Sequence, residues 1–279
     1  MEDLAINYPA VALAQDNELS ERAFCAASDK GELANVIKDI DTRGFACLED
    51  VITAAELNEL VSFANISAQR YQGEYFALHG KELLNRSLLA KLWDNPHLVQ
   101  VLCGLYEHAA GRKPTSDTIW PVLRCVQGNQ GERESGCFHY DASLVTLLIP
   151  IIIPAEGEER GDLMVFPNIR KTRSLVLINL LEKMLLQNAF SRKLINFAIK
   201  HRLLAPKQLQ LKPGNLYIFW GYRSLHANKP CSPDIKRATA IFHFGDPHEG
   251  SAVTKLILKF NQRRARRTSN KAMNIAKTN

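Results

Sequence analysis

From residue 144 to 153 the chain reads Leu-Val-Thr-Leu-Leu-Ile-Pro-Ile-Ile-Ile, a run without charge that predicts a strand buried on both faces. Residues 237–244, Arg-Ala-Thr-Ala-Ile-Phe-His-Phe, alternate polar or small with apolar and predict a closing strand. Between them, 211–226 reads as a turn at Lys212-Pro213-Gly214-Asn215, a strand, and a loop that carries His226. Gly44–Leu48, Ile119–Gln127 and 163–166 add shorter strands, and 155–161 an acidic turn. Helical signals dominate the first third. Ser28-Asp29 forms a cap ahead of Glu32–Ile40, and Thr53 with Glu56 fits a capping box for a helix running to about Gln69. Residues 81–93 and 97–110 predict two more helices, the second ended by Gly111.

One stretch breaks this order. In 174–204, Leu177, Leu180, Leu181, Met184 and Leu185 share one helical face, and Leu194, Ile195, Ala198 and Ile199 repeat the pattern after Ser191. Arg192, Lys193, Lys200 and Arg202 lie on other faces. Two basic amphipathic helices are expected here, as an insert of about 170–205 between strands. Such helices either cover a core or lie on an anionic membrane surface.

Charge sharpens that contrast. The net charge is +6, yet residues 169–204 hold eight Lys or Arg against Glu182 alone, and the last 29 residues hold eight and no acid. The remainder is therefore net acidic, so an anionic partner is expected at the two basic zones. With 279 residues, 46% of them hydrophobic, and no repeat or linker, one catalytic domain over 1–262 and a basic tail over 263–279 are expected. Six cysteines without paired spacing suggest reduced thiols. Glu2 and Asp3 stand where a signal peptide wants positive charge, and no apolar run reaches the roughly 18 residues of a spanning helix. A cytoplasmic protein follows, peripheral on the inner face of the membrane if the basic zones bind lipid.

The chemistry concentrates at His139-Tyr140-Asp141, His226 and Arg237. Two histidines and a carboxylate are the usual equipment for non-haem iron with open positions. On a strand, residues i and i+2 share a face, so His139 and Asp141 can reach one metal. Arg237 offers a fixed cationic fork to a carboxylate. The competing readings are a hydrogen-bonded strand pair for His139 and Asp141, His243 in place of His226, and a salt bridge of Arg237 with Asp234 or Glu249.

Several segments resemble the iron(II)- and 2-oxoglutarate-dependent dioxygenases, especially the phytanoyl-CoA-dioxygenase-like branch. They are Phe138-His139-Tyr140-Asp141, Gly161–Asn168, Leu211–Leu216, His226 and Arg237, with Gly44–Leu48 and the helix after it, together most of 40–245. The resemblance implies an α+β chain built on a double-stranded β-helix (jelly roll), with flanking helices. It implies iron(II) on His139, Asp141 and His226, and 2-oxoglutarate held at its far carboxylate by Arg237, eleven residues after the last ligand. Dioxygen is then the co-substrate and ascorbate an assisting reductant. Halogenating relatives replace the carboxylate ligand with a small residue, so Asp141 favours hydroxylation. Arg124 and Thr239, inward by strand parity, are candidates for the co-substrate. Ser143, Tyr222 and Arg223 are candidates for the substrate.

The layout is also similar to that of bacterial enzymes that 3-hydroxylate the Kdo sugar of lipopolysaccharide, which implies an anionic glycolipid as substrate. A small-molecule hydroxylase of secondary metabolism or lipid catabolism is the alternative within the family. Two readings of another class are a basic nucleic-acid-binding protein and a catalytically silent binding module. The tail lacks aromatics interleaved for base stacking, and a silent module has no use for a complete ligand set. A zinc hydrolase on the same triad is the remaining alternative.

Overall fold

The computed structural model describes residues 18–129, 135–155, 160–172, 182, 184–186 and 188–248. The basic tail and most of the first insert helix lie outside the described residues, as do parts of the 128–136 loop and the acidic turn. In chain order the elements are α1 (Glu18–Ser28), α2 (Lys30–Arg43), β1 (Ala46–Leu48), α3 (Ala54–Arg70), β2 (Phe76–His79), α4 (Lys81–Leu84), α5 (Leu89–Trp93) and α6 (Pro96–Ala110). There follow β3 (Ile119–Val126), β4 (Val145–Ile152), β5 (Leu163–Phe166), α7 (Ala189–Lys200), β6 (Lys207–Leu209), β7 (Leu216–Phe219), β8 (Leu225–Asn228) and β9 (Arg237–Phe244).

The strands form two sheets. The larger runs β1-β7-β4-β9-β3-β2 and the smaller β6-β5-β8, each pairing antiparallel. Strand alternation sorts the side chains of the larger sheet into two cores. Leu147, Ile149, Ile218, Ala238, Ala240, Phe242, Phe244, Leu123 and Cys125 face the helices and pack with Leu60, Leu89, Leu102 and Tyr106. Leu148, Tyr217 and Phe219 face the other way and meet Leu163, Val165 and Leu209 of the smaller sheet. Burial on both faces explains why β4 is apolar throughout. β9 reads as alternating because its inward positions carry Arg237, Thr239 and His243, which serve the cavity between the sheets.

Local sequence sets the helix ends. The Thr53 hydroxyl accepts from Glu56 N (3.1 Å) while the Glu56 carboxylate accepts from Thr53 N (2.8 Å), closing the expected capping box. Asp29 caps α2, and Gly44 and Gly111 end α2 and α6 in the left-handed region. Among the described residues no helix is long and apolar enough to cross a membrane.

Some expectations need correction. Residues 81–93 form two short helices because the Ser87 hydroxyl and amide both turn back to the Leu84 carbonyl (2.7 and 3.0 Å), interrupting the helical ladder. β2 and β6 were not read from the sequence, each being too short to show a period. β9 lies inside the sheet between β4 and β3, rather than closing its edge. His226 sits on β8, not in a loop, and His139 makes an isolated bridge to it.

Candidate metal centre

Two backbone hydrogen bonds join His139 and His226, N to O in both directions at 2.9 and 3.0 Å. The two rings stand 4.4 Å apart between centroids. Asp141 is drawn in by its amide, which donates to Gly221 O at 3.0 Å. A Cβ on Gly221 would collide with the Asp141 carboxylate and the Thr146 hydroxyl, so glycine is required there. One ligand atom from each of His139, Asp141 and His226 lies within 4.8 Å of the others. The Asp141 oxygens are 3.7 Å from His139 Nε2 and 3.6 Å from His226 Nε2.

Outer contacts orient these groups. His139 Nδ1 faces the Cys137 carbonyl at 2.8 Å and His226 Nδ1 the Ser224 carbonyl at 3.0 Å. With Nδ1–H donating to a carbonyl, each ring turns its Nε2 lone pair to the centre, as a metal ligand must. Thr146 Oγ1 donates to Asp141 Oδ2 at 2.6 Å. Burial, and repulsion from His226, push the His139 imidazole down to about 4, against smaller opposing effects of Asp141 and the Cys137 carbonyl. Burial acts to raise the Asp141 carboxyl, but the facing His226, His243 and His139 together with the Thr146 hydroxyl outweigh it and hold the group below the usual carboxylate range. His139 is thus held as a neutral imidazole and Asp141 as a carboxylate, protonation states that bind metal.

The triad opens into a cavity of about 290 Å³ between the sheets. Inward positions of neighbouring strands line it in rows set by the register. Arg124 lies opposite Thr239 and Ala77, Val122 opposite Ile241 and His79, and Thr146 opposite His243. Arg237 sits beyond Thr239 on β9, at the end away from His243. It is 3% exposed, and among the described residues none hydrogen-bonds or ion-pairs with its guanidinium. Burial, and the nearby Arg124, lower it to about 10, which leaves it a cation at neutral pH. Gly161 gives it room, since a Cβ there would come within 2.7 Å of Arg237 Cδ. The buried Thr239 Oγ1 also has no hydrogen-bond partner. A buried cation beside a buried hydroxyl, on the wall of one cavity, fits an anion with acceptor oxygens.

The cavity therefore brings together His139, Asp141, His226, Arg237, Thr239 and Arg124, whose guanidinium lies over the Tyr75 ring at 5.6 Å. It excludes three residues expected at the substrate. Ser143 lies in a bend at 142–144, where strand parity does not hold, and its hydroxyl meets His243 Nδ1 at 3.0 Å. Tyr222 is fully buried in the 220–224 turn and meets His248 at 3.2 Å. Arg223 turns toward α2, 3.8 Å from Asp41. Sequence reasoning missed Tyr75, His79, Thr146 and Asn228 on the cavity wall. Thr146 left a trace as the lone hydrogen-bonding side chain in the apolar run 144–153. His243, weighed as a rival ligand, lines the cavity 3.9 Å from Asp141.

A scan of the sequence against protein-family models finds no match, and a search of curated proteins finds none either. Solved structures do match. The chain is similar to a prolyl 4-hydroxylase from Phytophthora capsici at 16% identity and a TM-score of 0.56, over 86% of this chain and 69% of that one. It is similar to EctD from S. alaskensis, solved with bound Fe, at 16% identity and a TM-score of 0.50, over 78% and 81%. It is similar to AviO1 from Streptomyces viridochromogenes Tue57 at 14% identity and a TM-score of 0.50, over 77% and 95%. At such identities the likeness is one of fold, and the fold is the double-stranded β-helix.

Proposed function

We propose that the protein is an iron(II)- and 2-oxoglutarate-dependent oxygenase that hydroxylates a C–H bond. One observation carries this reading: the buried Arg237, and Thr239 with no hydrogen-bond partner for its hydroxyl among the described residues, share a cavity with a His-Asp-His set. The triad alone would suit several metals and a hydrolase. Arg237 and Thr239 add a receptor for a carboxylate within that cavity, which a metal-bound water does not need.

His139, Asp141 and His226 would hold the iron through two imidazole nitrogens and a carboxylate oxygen. Iron, 2-oxoglutarate and dioxygen together supply the oxidation: one oxygen atom enters the substrate C–H bond, the other enters succinate, and carbon dioxide leaves. The chain's own residues do the positioning. Arg237 binds the far carboxylate of 2-oxoglutarate as a fork, and Thr239 donates its hydroxyl beside it. Thr146 fixes the Asp141 carboxylate, and the Cys137 and Ser224 carbonyls fix the ring tautomers. Leu148, Leu163, Phe219 and Ile241 line the wall with apolar surface, which limits water at the reacting bond.

The substrate is proposed to be anionic. Arg124 lines the cavity besides the co-substrate arginine, and Asp141 is its one acidic lining residue among those described. At about 290 Å³ the cavity admits the co-substrate and a small moiety, such as one acidic sugar of a glycolipid, with the rest of the molecule outside. The inner-core Kdo sugar of lipopolysaccharide is the specific candidate. Succinate release by the iron-loaded protein, with and without deep-rough lipopolysaccharide, tests both levels. Stimulated turnover, a gain of one oxygen on the lipid sugar and loss of both in Asp141→Ala are expected. Turnover without stimulation would discard the glycolipid, and no turnover with no iron binding would discard the oxygenase.

A further inference from the structure

The helix α7 has two apolar faces, and the cavity needs only one of them. Ile195 and Ile199 are partly buried and pack against the cluster that contains Phe138 and Tyr140, the residues that flank His139. Asn196 donates to the Gly136 carbonyl (3.3 Å) and Arg192 to the Ser135 carbonyl (2.6 Å). The helix is therefore fixed to the segment that leads through Cys137 to the first ligand. At 100° per residue, Phe190, Leu194 and Phe197 share the opposite face. They are 75%, 55% and 54% exposed, and Leu203 just beyond the helix is 72% exposed. Of the ten large hydrophobic residues exposed among those described, eight fall in 169–204. Scattered exposed leucines need no explanation, but a contiguous apolar face does.

The charge around this face says what covers it. No acidic residue occurs between Glu182 and Asp234. Lys193 and Lys200 flank the apolar strip on one side of the helix, and His201 and Arg202 follow it. A second copy of the chain would bring the same positive face against itself, which like charges oppose. RNA would bind basic groups and stack on aromatic rings, but Leu194, Leu203 and Leu204 offer nothing to a base. An apolar strip bordered by lysines matches an interface of acyl chains under anionic headgroups.

We infer that α7 and the turn after it dock the protein on an anionic phospholipid bilayer. The inward face of the same helix then holds the Gly136–His139 segment at a set distance from that surface. This places the cavity beside the membrane, so that an anionic group carried on a lipid is delivered to it. The delivery rests on the oxygenase reading; the docking does not.

Flotation of the full-length protein with phosphatidylcholine vesicles, and with the same vesicles carrying phosphatidylglycerol, tests the docking. Binding to the anionic vesicles alone is expected, weakening as salt rises. The triple variant Phe190→Ser, Leu194→Ser, Phe197→Ser should lose about tenfold or more in partitioning. Lys193→Gln and Lys200→Gln should each lose roughly fivefold. These side chains are surface groups, so melting temperature and calorimetric binding of Mn(II) and 2-oxoglutarate should match the wild type in every variant. Undiminished flotation of the triple variant would place lipid binding elsewhere and overturn the inference. So would no flotation at all, self-association that the triple variant abolishes, or an RNA complex that depends on the same lysines. Failure to bind Mn(II) and 2-oxoglutarate, with flotation intact, would sink the oxygenase reading and leave the docking surface standing.

Discussion

Burying a guanidinium without an anion costs several kcal/mol, and breaking a buried ion pair costs about as much. Arg237 bears part of that cost, since the attraction of Asp162 offsets its burial only partly, and the Thr239 hydroxyl has no hydrogen-bond partner among the described residues. Opposite effects on stability and binding follow. Thr239→Val should raise the melting temperature of the ligand-free protein slightly and weaken 2-oxoglutarate binding roughly fivefold, the worth of about 1 kcal/mol for one hydrogen bond. Arg237→Met should raise the melting temperature more and weaken binding by about a hundredfold or greater. Thermal melts beside calorimetric titrations check both signs, and a variant that loses stability as well as binding would make these residues structural.

The His139 ring gives a pH dependence. In the folded, metal-free protein it stays neutral down to about 4, whereas its ordinary value is 6.5. Between those values the unfolded chain binds more protons, so stability should fall as pH drops from about 6.5 toward 4 and be flat on this account above 7. His79, lowered by burial and by His243 and Arg124, acts in the same direction. Denaturation midpoints across that range, in the wild type and His139→Gln, measure it. The variant should show a shallower acid limb, and an identical limb would remove His139 from the account.

Among the elements, a buried arginine does for the ligand loop what caps do for the helices. Arg170 lies between the Tyr140 ring (3.7 Å) and the Tyr222 ring (4.1 Å). Its Nε donates to the Tyr222 carbonyl (2.6 Å), and its Nη1 pairs with Glu182 at 2.7 Å. Tyr140 separates two metal ligands, and Tyr222 follows the glycine whose carbonyl holds Asp141. Arg170→Met should cost about 2 kcal/mol, because it removes a buried guanidinium that stacks between two rings and donates to the Tyr222 carbonyl. It should also weaken Mn(II) binding, whereas Arg170→Lys should restore part of the stability but less of the metal affinity, since a lysine cannot stack between two rings. Equal recovery of both would make the clasp a matter of stability alone.

The same elements show what the sequence could tell. The long strands β3, β4 and β9 and the capped helices α2, α3 and α6 were legible, because eight residues are enough to display a period or an unbroken apolar run and a cap displays its chemistry. β2 was not, since four residues ending in His79 resemble a loop, and with it went the wall that faces the triad. Asp141 and Arg237 were legible as types at a spacing. Ser143 lies off the cavity wall because strand parity does not carry into the bend at 142–144, and Tyr222 and Arg223, expected there because they precede His226, pack in the turn before it instead. Arg170, which only the tertiary stacking reveals, left no sequence signal.

At the scale of the whole molecule, the centre joins parts that lie far apart in the chain. His226 belongs to the smaller sheet, Arg237 and Thr239 to the larger, and His139 and Asp141 to the segment between β3 and β4. Metal and 2-oxoglutarate, bound together, would tie the two sheets to each other. Helix α7 packs beside the triad, so the docking surface inferred for it would lie next to the cavity. The triad and Arg237 are expected to form one receptor. Calorimetric titration of 2-oxoglutarate into Mn(II)-loaded protein, under argon, with the wild type, Asp141→Ala and Arg237→Met, tests this most directly. Binding at one site that vanishes without metal, and is lost in both variants, is the predicted result. Absence of metal binding by the wild type, or 2-oxoglutarate binding indifferent to both the metal and Arg237, would contradict it.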